Sequence, residues 1–207
     1  MKKYSFTGET KVEFGVTLKQ IRANISFGCA VKGELGGWIE KEANLNPFGN
    51  ACVFGNACVF GDARVFGDAQ VFGNAWVFGN ACVFGDAQVF GDARVSGNAQ
   101  VSGNAQVFGD AQVSGDAWVF GNARVSGNAQ VSGDAWTITP LSISATKFSV
   151  SVSSKTIISI GCERHTVAVW EKDGKAIGEK HGFTETEIAE YRLYITACKK
   201  WMKIYCK

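Results

Sequence analysis

The residues best equipped for covalent or acid–base chemistry lie near the end of the chain, in the stretch GCERH, where Cys162 and His165 stand close together. A thiol beside an imidazole can act as a nucleophile with its base. The same pair joined by His181, Cys198 or Cys206 would offer nitrogen and sulfur ligands to zinc, although the spacing matches no strong metal signature. On a strand, side chains three positions apart face opposite sides, so the expectation is a buried Cys162, a surface His165, and neither metal nor cofactor. Further on, Lys199, Lys200 and Lys203 gather at the end of a stretch with helical spacing, where positive charge suits the helix dipole. A solvated helix end is the first reading of that cluster, and contact with an anionic ligand or nucleic acid the second.

The elements that must position these groups are unequal in character. The chain has 207 residues, 25 of them Gly and only 2 Pro, with a net charge of +2. So small a charge gives no support to a nucleic-acid or membrane partner, and it hides a gradient. Residues 51–134 carry seven Asp against three Arg, whereas residues 141–207 carry eleven Lys or Arg against seven acidic residues. The start, MKKYSFTGETK, has two lysines but no apolar segment behind them, and no apolar run approaches the length of a membrane span, so a cytoplasmic protein is expected. Seven cysteines, an odd number without framework spacing, fit reduced thiols better than disulfides.

Between the flanks runs a six-residue phrase, A-x-V-[FS]-G-[ND], repeated without insertion fourteen times from Ala51 to Asp134. A degenerate copy, ANLNPFGN, precedes it from Ala43, and AWTITP closes it at Pro140. A period of six fits neither a helix nor a stack of helix pairs. Ala-x-Val is the alternation of a short strand with both small apolar residues on one face, and Gly followed by Asn or Asp supplies the positive φ needed to turn a corner. Three strands and three corners, 18 residues, close one triangular coil.

The phrase resembles the hexapeptide repeat of left-handed β-helix proteins, in which an aliphatic residue is followed four positions later by a small one, as in Val53 with Ala57 through to Val131 with Ala135. The resemblance implies an all-β body, a single-stranded parallel left-handed β-helix. Enzymes with this repeat are mostly acyltransferases with a catalytic His and an extruded loop, and some are carbonic anhydrases with three His ligands. Residues 43–140 contain no His and no insertion, so both chemistries are rejected for the prism on residue type and the protein is read as no enzyme.

Three Val and three Ala per coil fill so narrow an interior, which leaves no volume for Phe inside. Sorted by 18, Phe54, Phe72, Phe90 and Phe108 form one outer column, Phe66, Phe84 and Phe120 a second interrupted by Ser102, and Phe60 with Phe78 a third that continues as Ser. Such columns are either ladders that stiffen the coil or faces covered by further copies of the chain, a homotrimer being favoured. The variable slot also points outward. It holds Trp76, Trp118, Trp136, Arg94 and Arg124 as candidate partner contacts; Trp118 is expected above Trp136, first as local glue against the C-terminal domain and second as a flat recognition surface, and the Gln columns could form amide ladders.

The flanks divide as residues 1–42, an N-terminal cap; 43–140, the β-helix; and 141–207, a small α+β domain. In the cap, KYSFTGETKVEF reads as strand–turn–strand and TLKQIRA as a short helix. Gly36 and Gly37 read as a sharp turn, with Trp38 and Ile39 plugging the open end of the prism. In the tail, alternation through VAVWEKDG reads as strand with a turn at Asp173-Gly174. A helix follows, opened by a Thr184/Glu187 capping box and burying Ile188, Tyr191, Ile195, Cys198 and Met202.

Together, FTGETKVEFGVTLKQIRA, GELGGWIEKEANL, the VFGNA array and IGCERHTVAVWEKDGKAIGEKHGF resemble a family of bacteriophage and prophage accessory proteins. That resemblance implies a phage-encoded binder in the host cytoplasm that captures a host component, either a defence protein or its nucleotide signal. A polymer-forming β-helix scaffold is the first alternative, and an enzyme built on Cys162 and His165 the second.

Overall fold

The computed structural model describes residues 2–206. Its body is a parallel β-solenoid of three sheets. In the repeats, each strand is only two or three residues long, and each pairs with the strand 18 residues on, Cys52 opposite Gln70 and Val53 opposite Val71. The coils are joined by one recurring set of bonds. The N–H of Cys52 donates to the carbonyl of Ala69 at 2.9 Å, that of Phe54 to Val71 at 3.1 Å and that of Asn56 to Gly73 at 2.9 Å. Strands this short are stable only because every interior one is paired above and below.

The interior is the Val and Ala set. From Ala57 to Val119 every one of them has 0 % exposure, as the alternation requires. The corner glycines adopt φ of 59 to 83° from Gly55 to Gly133, a region costly for residues with a Cβ. They also stack on one another: a Cβ placed on Gly67 would stand 3.0 Å from the Gly85 nitrogen. Conformation and contact therefore both exclude larger residues at these corners.

The prism starts before the regular repeats. Strands β1 (Tyr4–Glu13), β2 (Val16–Ala23) and β3 (Leu35–Ile39) form an antiparallel sheet, and β3 continues in parallel into the prism, Trp38 opposite Cys58 and Ile39 opposite Val59. One face thus carries six parallel strands, from β3 to Gln130–Ser132, and the other two carry five each. Ile39, fully buried, takes the place of Val, and Trp38 lies half-exposed beneath Lys11, whose Nζ is 4.9 Å from its ring centroid. The pair is part of the first coil's wall and not a plug. In the degenerate copy, Ala43 is exposed in a 3₁₀ turn, Glu42–Asn44, while Leu45 is buried and bridges Val65. Asn44, also buried, donates to the carbonyls of Gly61 and Ala63 at 3.0 and 2.9 Å.

Three further expectations for the cap are corrected. Residues 4–13 are one bulged strand, and its turn is Phe14-Gly15, with φ of 48 and 77°, two consecutive left-handed residues as a tight hairpin demands. TLKQIRA is strand, not helix. Leu18 and Ile21 imitate helical spacing because β2 covers two surfaces: Leu18 packs outside the prism on Cys58 and Phe60, and Ile21 joins the main core. Gly36 and Gly37 make no turn. They lie within β3, where a Cβ would stand 2.5 Å from Ile21 and 2.7 Å from the Ala57 carbonyl respectively, so their role is close approach.

At the far end the register slips. Ala135 pairs with Trp118 and Trp136 with Val119, because the last corner is one residue short, drawn in by a bond from the Asp134 N–H to the Ser132 carbonyl of 3.1 Å. Ala135 consequently turns outward. Trp136, 3 % exposed, enters the core, closes the prism and stacks on Trp201 at 6.3 Å.

The remaining chain forms a four-stranded antiparallel sheet, Ser142–Ile143, Val150–Val152, Ile157–Ile160 and Glu163–Thr166, covered by helices α1 (Val167–Lys180) and α2 (Glu185–Tyr205). It is fastened to the last coil by the Ser132 N–H to the Ser153 carbonyl at 2.7 Å and by Gln130 Nε2 to the Gly161 carbonyl at 3.2 Å. Asp173-Gly174 sits inside α1 and not in a turn. Thr166 accepts from the Val169 N–H at 3.4 Å and starts the helix, so the alternation of TVAVW belongs to a helix whose Trp170 is buried. The helix stops at Gly182, φ 69°. In α2 the Thr184/Glu187 capping box and the five buried residues Ile188, Tyr191, Ile195, Cys198 and Met202 are as the sequence indicates.

Candidate functional site

The outer columns are the most regular feature of the surface. Phe54, Phe72, Phe90 and Phe108 form one unbroken ladder with ring centroids 5.1, 4.8 and 4.9 Å apart and planes within 4° of parallel. Phe66 and Phe84 stack at 5.0 Å, and Phe60 and Phe78 at 5.3 Å. The spacing is that of the β-ladder itself, so the backbone sets the ring separation and each stacked pair contributes about 0.5–1.5 kcal/mol. All rungs of the longest ladder are half-buried: the faces are covered by neighbouring rungs, and the edges remain in contact with solvent. Phe120 stands apart from the second column. It packs on Trp118 at 4.6 Å, and the Trp118 indole N–H donates to Ser102 Oγ at 3.1 Å, filling the gap that Ser leaves.

The other candidate contacts scatter. Trp76 is enclosed between Phe14 at 5.0 Å and Phe60 at 5.9 Å, under the β1–β2 hairpin. Trp136 lies in the core and is removed from the surface set. Trp118 remains 42 % exposed. Arg124 lies over the Phe108 ring, 5.1 Å from its centroid, at the end of the long ladder, and Arg94 is exposed on another face. Lys199 pairs with Glu171 at 2.5 Å, while Lys200 and Lys203 are exposed.

Cys162 and His165 do not form a working pair. Cys162 is exposed, contrary to the expectation of burial, because it follows the positive-φ Gly161 in the turn between two strands. His165, half-buried, directs Nε2 to Glu163 at 2.9 Å, and His181 directs its own Nε2 to the other oxygen of Glu163 at 2.8 Å. These bonds hold the Glu163 carboxyl below its usual range, His181 contributing most. Glu163 and His181 border an apolar cleft of about 40 Å³ between the helices, floored by Trp170, Ile177, Ile188 and Ile195, while His165 lies outside its lining. Among the described residues no group of three or more His, Cys, Asp or Glu is arranged to hold a metal, and no helix is long and apolar enough to cross a membrane.

Two features escape a reading of residue types. The corner residues after Gly form polar ladders beside the aromatic ones: Asn56 Nδ2 donates to Asn74 at 3.1 Å, which donates to Asp92 at 3.0 Å, and Asn80, Asn98 and Asp116 repeat this on another edge at 3.0 and 2.9 Å. Sorting those letters by 18, as for Phe, exposes the columns. The expected Gln ladder is limited to Gln106 and Gln88 at 3.2 Å. Lys3 is the second feature, a lysine only 2 % exposed. Its Nζ donates to the carbonyl of Ala51 at 2.7 Å and those of Phe48 and Gly49 at 3.3 Å, and burial lowers its pKa to about 8. No sequence signal marks it, since the fold creates its pocket.

The chain matches the model of the YdcK beta solenoid repeat over residues 87–103, 99–115, 111–127 and 117–133. These matches all fall within the regular coils, so the likeness is to the repeat. No curated protein matches the chain.

Proposed function

We propose that the protein is a non-enzymatic, phage-encoded binding protein of the host cytoplasm, oligomeric through its Phe columns, that captures a host component, either a defence protein or its nucleotide signal. The long ladder carries this reading. Four parallel rings on a fixed period make a stiff apolar edge whose conformational entropy is already spent in folding, which favours association. A second copy offers a matching period of about 4.8 Å along its own ladder, and three such prisms side by side would cover the exposed ring edges. Arg124, capping the ladder, and Trp118 are the polar and aromatic groups left at the rim for the captured partner.

Both ends of the prism are occupied, one by β1 and β2, the other by Trp136 and the C-terminal sheet, which speaks against end-to-end polymerisation. His165 faces Glu163 and not Cys162, which speaks against a thiol enzyme.

Sedimentation of the purified chain tests the oligomer: a trimer is expected, and a clean monomer would remove the interface reading. The double variant Phe72→Asp with Phe90→Asp should dissociate it while keeping its β circular dichroism. Affinity purification from infected cells, with mass spectrometry of bound proteins and extracted nucleotides, should then recover a partner with the wild type and lose it with the variant.

A further inference from the structure

Cys29 belongs to a tight turn, Phe27 to Ala30, whose end residues bond each other in both directions at 3.0 and 2.9 Å. That turn is pressed onto the prism. A Cβ built on Gly28, φ 52°, would stand 2.3 Å from the Asn50 carbonyl oxygen and 3.0 Å from Cys52 Sγ, so only glycine permits the approach. Cys52, 2 % exposed, donates its thiol to the carbonyls of Asn50 at 3.1 Å and Phe27 at 3.8 Å. Cys29, the residue after Gly28, is exposed on the outer side of the same recess, whose lining it shares with Cys52. One thiol open to solvent and one buried behind it in a shared recess put Cys52 where it can meet a Cys29 that has been oxidised from the solvent side.

We propose that Cys29 and Cys52 are a redox pair, converted by a peroxide into a disulfide that staples the Phe27–Ala30 turn to the first complete coil. The Cys29 thiolate attacks the peroxide and breaks its O–O bond, becoming a sulfenic acid as hydroxide leaves and is protonated to water. The Cys52 sulfur then attacks the Cys29 sulfur, forming the S–S bond and displacing the hydroxyl as a second water. Two thiols lose two electrons and two protons, and hydrogen peroxide gains both.

The recess sets the rate. Burial, and after it the neighbouring Cys52, push the Cys29 thiol up to about 12, so its thiolate is scarce at neutral pH and oxidation should quicken roughly tenfold per pH unit between 7 and 9. The recess also contains Phe54, the first rung of the long ladder. The staple therefore fixes the loop that borders the ladder's end, whether or not the ladder binds a partner.

The test uses the full chain with hydrogen peroxide at pH 8, followed by alkylation of free thiols and peptide mass spectrometry. The expected product is an intramolecular link between the peptides carrying Cys29 and Cys52, two hydrogens lighter, with a midpoint of thermal unfolding several degrees higher that dithiothreitol reverses. Cys29→Ala, a change at an exposed position, should abolish link and shift together, and Cys162→Ala should leave both. Oxidation of Cys29 to higher acids with no link to Cys52, or a peroxide-induced thermal shift that survives in Cys29→Ala, would overturn the proposal.

Discussion

The prism and the C-terminal unit solve the same problem, burying short strands, by different means. In the prism each coil is covered by the next through identical Val, Ala and Gly contacts, so the fold is a sum of equal neighbour terms. In residues 141–206 a four-stranded sheet is covered once, by two helices, and each contact is particular: Tyr191 Oη accepts from the Phe148 N–H at 2.6 Å and donates to its carbonyl at 2.7 Å. Regularity confines ionisable groups to the outside of the prism. Irregularity lets the smaller unit gather His165 and His181 on the Glu163 carboxylate at the edge of a cleft. The difference teaches that in this chain repetition supplies surfaces, while chemistry collects where repetition ends.

The sharpest way to break this contrast is a charge inside a coil. Val89→Asp should lower stability by more than about 4 kcal/mol, since the carboxylate has no partner in a core of Val and Ala. Denaturant unfolding followed by circular dichroism measures it, and a mild effect would mean that the coils tolerate interior water. Ile195→Ala should cost about 2–4 kcal/mol, but only in the C-terminal unit. Hydrogen exchange should show the helices opening while the coil amides stay protected, and joint loss of protection would show that the two regions unfold as one.

Smaller changes refine the picture. Gly91→Ala should cost about 1–3 kcal/mol, from a left-handed φ of 72° and a Cβ that would stand 3.0 Å from the Gly109 nitrogen and 3.2 Å from its carbonyl oxygen, backbone atoms that cannot swing aside. Thr184→Ala should cost about 1 kcal/mol through the lost capping box, visible as faster exchange in the first turn of α2. The least effect concerns pH at Lys3. Its folded pKa lies below that of an unfolded lysine, so the unfolded state binds more protons between the two values and stability from this group rises with pH there. Thermal melts from about pH 8 to 10 should show the wild type gaining on Lys3→Met, and a constant difference would mean that the ammonium is solvated.

Particular residues show where legibility stops. Val, Ala and Gly in the repeats could be placed inside and at the corners because a six-residue period leaves one way to alternate and turn. The Ile188-to-Met202 face of α2 was equally plain, since Thr184 and Glu187 mark its start. The aromatic columns followed from counting by 18. Trp136 did not: its letter fits the outward slot, and only the shortened corner at Asp134 turns it inward. TLKQIRA was opaque because a strand that packs on two surfaces can imitate helical spacing, and the α1 residues Val167 to Trp170 were opaque because a few apolar residues at a strand–helix junction satisfy both periods.

The solenoid, its core and the outward placing of Phe are written in the chain's local alternation, repeated without error. The tertiary structure alone decided which rings stack unbroken, that Glu163 bridges two histidines, that Lys3 is buried against three carbonyls, and that Cys29 meets Cys52. Each of these joins residues brought together by chain closure, and no local period encodes such a meeting.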